Sequence, residues 1–299
     1  MLSLRRFFER LDERYMGPEG DAFAIEELAP VAARFLPRDG RVLEAGCGYG
    51  RSLVALSTLP ARLVAGAEPS AAELDRARAR LAGLAAEARA RVALVRQERV
   101  RLPFADGSFD LVVLWQVLEH VFDDAGRVGL LAELVRVLKD GGHLLIETPN
   151  AWFPFDYHDN RLPFAHWTGA PRLREWLTWH VRGTRFPPSR YVSLPGLGRL
   201  LRRAAPGARF TKATRVYLAA GYVGAWRALD GTQVGLKRVL FVLLAPAHAV
   251  LSLVGAGADL LLPSLRVVWR VEKGGGGAPA RQGLRGEAKS YSPSVPRSH

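Results

Sequence analysis

Residues 42–50 read VLEAGCGYG, an apolar run that passes into three closely spaced glycines and is followed by a helical stretch. Glycines at positions 46, 48 and 50 let the chain turn tightly and let its backbone approach a ligand. The dinucleotide-binding pattern requires GxGxxG, whereas the spacing here is ExGxGxG, beginning at Glu44. The loop therefore disfavours a nicotinamide cofactor and predicts a ligand-binding turn after a strand.

Further apolar runs alternate with longer stretches rich in Ala, Arg and Leu. This alternation is typical of βαβ units and predicts a doubly wound α/β fold around a parallel sheet. The predicted strands are residues 41–44, 63–68, 92–96, 110–115 and 143–148. The predicted helices are residues 52–58, 70–89 and 125–138, the last of them ended by a turn at Asp140-Gly141-Gly142.

The rest of the chain is assigned around this core as one domain, residues 1–273. Residues 1–40 include an amphipathic lead helix at 2–15, residues 41–150 form the core, and residues 196–273 carry a helix at 197–203 and strands at 209–217 and 265–272. Residues 151–195 are crowded with aromatic residues, His and Pro. Their apolar residues follow neither the helical nor the strand period, so we interpret them as an insertion over the active-site face. Residues 274–299 are polar and rich in Gly and Pro, which predicts a disordered tail.

Composition favours an ordinary globular protein, since 48% of the 299 residues are hydrophobic and 24% are charged. Cys47 is the single cysteine, which excludes an intramolecular disulfide. The start of the chain lacks the pattern of a secretory signal, so we expect a cytoplasmic protein. Residues 1–150 hold 20 Lys and Arg against 22 Asp and Glu, whereas residues 151–299 hold 22 against 7. The second half therefore either faces an anionic partner or carries solvated arginines that need none.

The sequence order of several motifs resembles the class I S-adenosylmethionine-dependent methyltransferases. The motifs are VLEAGCGYG, GAEPS, LPFADGSFDLVV, VLEHV and LKDGGHLLIETPN, and together they cover residues 41–150. They are most similar to small-molecule methyltransferases, a group that includes quinone-type O-methyltransferases. The resemblance implies S-adenosyl-L-methionine as cofactor and a Rossmann-like, doubly wound, seven-stranded sheet with an insertion after strand 5. Its last strand, here residues 263–273, is then antiparallel to the rest.

The resemblance assigns seven residues to the cofactor. Three are carboxylates: Glu44 at the end of the first strand, Glu68 on the ribose, and Glu98 near the adenine amine. A carboxylate at such a strand end can accept hydrogen bonds from both ribose hydroxyls, although the family more often has Asp at these three positions. The others are Gly46, Gly48 and Gly50 along the methionine and ribose, and Trp115, whose backbone contacts the amino-acid end.

Three histidines are candidates for catalysis. A hydroxyl acceptor needs a base, and His has the unperturbed pKa that suits this duty near neutrality. His120 lies in VLEHV, while His158 and His166 follow the fifth strand, where ligands bind in open α/β sheets. We favour His158, and each of the three has a purely structural role as its alternative. His158, Asp159 and His166 lack a strong metal-ligand spacing, so no metal is predicted.

Residues 239–262 form a long apolar segment that Lys237 and Arg238 precede. It reaches the length of a membrane-spanning helix, yet it lies between the two strands that pair last. A span there would pull the final strand out of the sheet. We therefore expect a lid, a buried helix or a peripheral contact with a membrane surface.

The sequence predicts an enzyme that transfers a methyl group from S-adenosyl-L-methionine to a small or lipid-like molecule, at a hydroxyl oxygen. One alternative is an RNA methyltransferase, motivated by the basic second half, although no RNA-binding module is recognisable and a nucleic-acid partner is disfavoured. The other alternative is a non-catalytic scaffold of the same fold at a membrane surface.

Overall fold

The computed structural model describes most of the chain between residues 17 and 274. The described residues are 17–97, 101–156, 158–159, 162–182, 188–213, 239, 242–243, 245–247, 249–250 and 263–274. The predicted lead helix at 2–15, Glu98, most of the apolar segment and the tail from residue 275 lie outside them.

A seven-stranded sheet forms the centre of the molecule. Its strands are β1 (Arg41–Ala45), β2 (Leu63–Glu68), β3 (Val92–Arg96), β4 (Phe109–Trp115), β5 (Leu138–Pro149), β6 (Ala208–Lys212) and β7 (Ser264–Lys273). Their spatial order is β3-β2-β1-β4-β5-β7-β6. The pairs among β1 to β5 are parallel, whereas β7 runs antiparallel to both β5 and β6. The predicted Rossmann-like sheet with an antiparallel last strand is therefore confirmed.

Helices cover both faces of the sheet. They are α1 (Pro18–Glu27), α2 (Ala29–Phe35), α3 (Arg51–Ser57), α4 (Ala71–Leu81), α5 (Ala86–Ala90), α6 (Asp124–Val137), α7 (Pro171–Arg182) and α8 (Leu194–Ala204). The helix predicted at 70–89 is divided into α4 and α5, with Gly83 in the intervening turn, where its N–H donates to the carbonyl of Arg80. Ser70 caps α4 by accepting a hydrogen bond from the N–H of Glu73.

The turn predicted after α6 is instead part of β5. Leu138 already pairs with Phe109, and the register then shifts so that Leu111 pairs with His143. The intervening residues form an irregularity in which Gly141 has φ +70°. Glycine adopts this backbone without steric cost, so the glycine pair allows a bulge within the strand and does not end it.

The core consists of two apolar layers on opposite faces of the sheet. Leu43 of β1 belongs to the layer that includes the buried side chains of α6 and α8. Its neighbour Val42 points the other way, into the layer that includes those of α1 and α3. In β4, residues 111–114 are fully buried, as expected of a parallel strand covered on both faces.

The order of the strands reverses between the neighbours β1 and β4. From β1 the sheet continues through β2 and β3 in one direction, and from β4 it continues through β5 in the other. In open α/β sheets, such a switch point opens a crevice at the carboxyl ends of the strands. The residues that follow β1, β4 and β5 are therefore brought to one edge. Among the described residues, no helix is long and apolar enough to cross a membrane.

Gly66, in the middle of β2, tests the packing of this core. An added Cβ would lie 2.6 Å from Leu53 Cδ1 and 2.9 Å from Cys47 Sγ. Because neighbouring side chains must move, we expect Gly66→Ala to lower the free energy of unfolding by about 1–3 kcal/mol. Chemical denaturation measures this change. Gly83→Ala is the matched control, since its nearest contact would be an ordinary 3.5 Å, and equal stability of the two variants would contradict the packing described here.

Candidate active site

The loop after β1 passes close to the segment that follows β4. Gly46 has φ +73°, and a Cβ there would lie 2.6 Å from Val117 Cγ2, so only glycine fits. Gly48 has φ +49°, but a Cβ there would meet no atom within 4 Å among the described residues. Left-handed backbone explains both glycines, and the open space beside Gly48 leaves room for a ligand.

Glu68, at the tip of β2, is held by the backbone on two sides. Its Oε2 accepts a hydrogen bond from the Gly48 N–H at 3.0 Å, and its Oε1 accepts one from the Ser70 N–H at 2.9 Å. Burial raises the pKa of Glu68, while these two backbone hydrogen bonds act in the opposite direction. The carboxylate is thus fixed in orientation, and each oxygen keeps a second lone pair for a ligand hydroxyl.

Glu44, the fourth residue of β1, is almost completely buried and precedes the first loop glycine by two positions. Burial raises its pKa to about 8, although a hydrogen bond with Ser52 and the charge of Arg51 lower it. Its Oε2 has no hydrogen-bond partner within the part of the chain that the structure describes. A buried acceptor in this condition is costly unless a ligand supplies a donor.

A second buried glutamate lies two strands away, near the end of β5. Glu147 is 2% exposed and burial raises its pKa, while the charge of Arg266 lowers it. The carbonyl of Glu147 accepts a hydrogen bond from the N–H of Gln116, which has φ +55°. Left-handed backbone is uncommon for glutamine, and it directs the chain sharply after Trp115, whose ring lies under the Arg266 guanidinium at 4.7 Å.

The turn after β4 and the insertion bring Glu119, His120 and His158 together. The Nε2 atom of His158 lies 3.5 Å from Glu119 Oε1, and the rings of the two histidines are 5.3 Å apart. Burial raises the pKa of Glu119 to about 7 and lowers that of His120 to about 4. Burial also lowers the pKa of His158, but the hydrogen bond to Asp159 and the charge of Glu119 outweigh it, so the net shift is upward.

A buried polar network holds His158 in place. Asp159 contacts His158 Nδ1 at 3.1 Å and also accepts hydrogen bonds from the Ser189 hydroxyl at 2.7 Å and from Arg174 Nη2 at 2.7 Å. Arg174 also reaches the buried Asp156 at 3.5 Å. Four polar residues from three parts of the insertion are therefore needed to place one imidazole.

His166 and His158 both lie near the ring of Tyr191. Its ring centroid is 5.0 Å from that of Tyr191 and 5.9 Å from that of Trp167. Burial lowers its pKa. The His166 ring thus packs against the aromatic rings of Tyr191 and Trp167.

The structure thus divides the predicted site residues into two groups that face the same sheet edge. Glu44, the three loop glycines and Glu68 form the first, and His120 and His158 belong to the second. Sequence reasoning missed Arg51, Glu119 and Glu147. Glu119 stands within the quoted VLEHV motif, and Glu147 ends an apolar strand as Glu68 does, so both had a usable signal.

Comparison with known proteins gives a consistent result. A family model described as a methyltransferase domain matches residues 42–142. A putative methyltransferase of Encephalitozoon cuniculi is 31% identical over 203 residues, which are 65% of this chain and 85% of that protein. A probable S-adenosylmethionine-dependent methyltransferase of Mycolicibacterium smegmatis is 40% identical over 122 residues, which are 40% of this chain and 41% of that protein. The chain therefore spans about two fifths of the mycobacterial relative's length.

Among solved structures, one similar chain belongs to the complex between the Haloferax volcanii Trm112 methyltransferase activator and the putative methyltransferase. Its TM-score is 0.50 at 16% identity, and the match covers 86% of this chain and 96% of that chain. At this identity the likeness concerns the fold.

The buried network around Asp159 gives a test of the insertion. Arg174→Met would leave the carboxylates of Asp156 and Asp159, both fully buried, without their guanidinium partner. We expect the free energy of unfolding to fall by about 3–5 kcal/mol, because an uncompensated buried charge remains. Thermal or chemical unfolding checks this. Arg172→Met removes the same charge from an exposed position on the same helix and should leave stability nearly unchanged; comparable losses in both variants would refute the role of the network.

Proposed function

Because this chain belongs to the class I S-adenosylmethionine-dependent methyltransferases, we propose that it transfers a methyl group to a hydroxyl oxygen of a small or lipid-like acceptor. The observation that carries the cofactor part is the buried Glu44 Oε2, which has no hydrogen-bond partner among the described residues and directly precedes the loop whose Gly48 leaves open space. The acceptor part rests on the composition and burial of the insertion.

The residues at the ends of β1 and β2 fit an adenosyl sulfonium compound. The Glu68 carboxylate, fixed by two backbone N–H groups, suits the paired hydroxyls of a ribose. Glu44 offers a buried oxygen to a cationic or hydrogen-bonding group, and such a partner would offset the cost of burying its charge. Gly48, whose N–H holds Glu68, has no described atom within 4 Å of where a Cβ would lie, so the space beside it is open.

When bound, S-adenosylmethionine supplies a methyl group activated by the positive charge on sulfur. The acceptor oxygen would form the new carbon–oxygen bond with a lone pair, the carbon–sulfur bond would break with its electrons remaining on sulfur, and the hydroxyl proton would leave to solvent before the transfer. The protein's contribution is to align the two groups and to exclude water. Trp115, Phe153 and Phe155, all at least nine-tenths buried, support a dry surrounding for this step.

The surface of the insertion supports an acceptor of small or lipid-like character. Trp152, Trp167 and Trp176 are each about half exposed. Tryptophan is enriched where proteins meet the membrane interface. Val242 and Leu243, in the apolar segment 239–262, are likewise more than half exposed, which supports a peripheral membrane contact there.

Cofactor binding is tested at Gly48. Gly48→Asp should weaken binding of S-adenosylhomocysteine by at least about 100-fold, equivalent to about 2.8 kcal/mol, because the side chain fills the space beside the loop. Isothermal titration calorimetry measures the affinity. Gly169→Asp is the matched control, since Gly169 also has positive φ, at +63°, and open space, yet lies outside the loop after β1. Unchanged affinity in Gly48→Asp would remove this loop from the cofactor site.

The acceptor is tested by methyl transfer from labelled S-adenosylmethionine to an extract of the source cells. We expect label in the organic-soluble or small-molecule fraction, in a form stable to mild base as a methyl ether is. Gly48→Asp is the control for transfer by other enzymes. Label confined to RNA would favour the nucleic-acid alternative, and cofactor binding with no product in any fraction would favour a non-catalytic scaffold; either result contradicts the proposal.

A further inference from the structure

Three side chains converge at the carboxyl edge of the sheet from distant parts of the chain. Glu119 and His120 come from the short turn after β4, and His158 comes from the insertion after β5. One ligand atom from each, a carboxylate oxygen and two imidazole nitrogens, can be chosen so that all three lie within 4.8 Å of one another. Of the described residues, these are the ones that meet this condition.

The Glu119 carboxylate has one oxygen aimed into this space. Its Oε2 accepts a hydrogen bond from the Thr148 hydroxyl at 3.1 Å, which fixes the group. Its Oε1 has no hydrogen-bond partner in the described part of the chain, although the side chain is fully buried. A buried oxygen of this kind is costly, and its direction toward His158 Nε2 at 3.5 Å suits a cation that both atoms would bind.

The separation fits ligands of one ion better than a hydrogen bond. Donor and acceptor in a hydrogen bond lie about 2.7–3.2 Å apart. Bonds of about 2.0–2.2 Å to a tetrahedral zinc ion place neighbouring ligand atoms roughly 3.3–3.5 Å apart. The observed 3.5 Å matches the second arrangement.

The surroundings of His158 are those of a metal ligand. Histidines that bind metal through one nitrogen usually donate the other N–H to a carboxylate, which sets the tautomer and the ring orientation. Here Nδ1 of His158 contacts Asp159 Oδ1 at 3.1 Å, so Nε2 is the nitrogen presented to Glu119. Asp159 is itself fixed by Arg174 and Ser189.

We propose that Glu119, His120 and His158 form a binding site for one divalent transition-metal ion of the zinc type. Two imidazoles and one carboxylate are a known ligand set of catalytic zinc, and they leave a coordination position for a non-protein oxygen. Imidazole ligands disfavour Mg²⁺ and Ca²⁺, which prefer oxygen. The sequence did not predict this site, because Glu119 and His120 are distant in the chain from His158 and the three residues show no ligand spacing.

The site lies next to the loop assigned to the cofactor. Val117, two residues before Glu119, packs against Gly46. The open coordination position is therefore suited to the hydroxyl oxygen of the acceptor, whose proton a bound metal makes easier to lose to water. This role rests on the proposed function, whereas the binding site itself does not. In the proposed metal site, His120 and His158 act as ligands and not as a general base.

The test uses the full chain, freed of metal with a chelator and titrated with Zn²⁺ in the absence of cofactor and acceptor. We expect one equivalent to bind, and Co²⁺ to give the visible absorption of a four- or five-coordinate site. Glu119→Gln keeps the shape of the buried side chain and should weaken Zn²⁺ binding at least 100-fold, as should His158→Ala. Asp159→Asn keeps the side chain's shape but removes the carboxylate that supports His158, and it should weaken Zn²⁺ binding about 10–100-fold.

Two controls separate loss of the site from loss of the fold. His180→Ala removes an imidazole from α7 outside the cluster and should bind Zn²⁺ as the unmodified protein does. Every variant should bind S-adenosylhomocysteine with unchanged affinity, which shows that the domain is folded. Failure of the unmodified protein to bind Zn²⁺, or equal Zn²⁺ affinity in His158→Ala and His180→Ala, would overturn the proposal. Neither result would bear on methyl transfer, which the labelling experiment measures separately.

Discussion

The hydrogen bond from the Gly48 N–H to Glu68 ties the loop after β1 to the tip of β2, and the first half of the site depends on it. It forms only because β1 and β2 are adjacent and parallel, so that both chains leave the sheet at the same edge. The loop can follow this path because Gly46 fits against Val117 without a side chain. Glu44, just before this loop, is buried with one carboxylate oxygen that has no hydrogen-bond partner among the described residues. A hydrogen-bond donor of a ligand would satisfy this oxygen.

The second half of the site, around Glu119 and His158, also contains a buried carboxylate oxygen without a hydrogen-bond partner among the described residues. Here the orphaned oxygen belongs to Glu119, and the neighbour that faces it is an imidazole held by a buried carboxylate. Asp159 and Arg174 are both more than nine-tenths buried, an arrangement that costs desolvation energy and adds little net stability. Apolar side chains of similar volume would pack the insertion equally well. What the polar network adds is a fixed orientation of the His158 ring.

The two halves meet because strand order reverses between β1 and β4. The loop after β1 carries the glycines, and the turn after β4 carries Glu119 and His120, so the switch point places the glycine loop beside these two side chains. β5, which neighbours the central strand β4, then delivers the insertion to the same edge. Under the proposed function, this arrangement lets one rigid scaffold position methyl donor and acceptor through different connections.

The sequence by itself determined the parts of this protein that depend on local pattern. Apolar periodicity located the central strands, and the glycine spacing located the tight loop after β1, since both follow from neighbours in the chain. Tertiary structure alone decided that Gly141 makes a bulge within β5, because Leu138 pairs with Phe109 across the sheet. Tertiary structure alone also brought His158 to Glu119 and His120. That contact requires the insertion to fold back toward the end of β4, where buried ion pairs hold it. Such ion pairs leave no periodic pattern in the sequence.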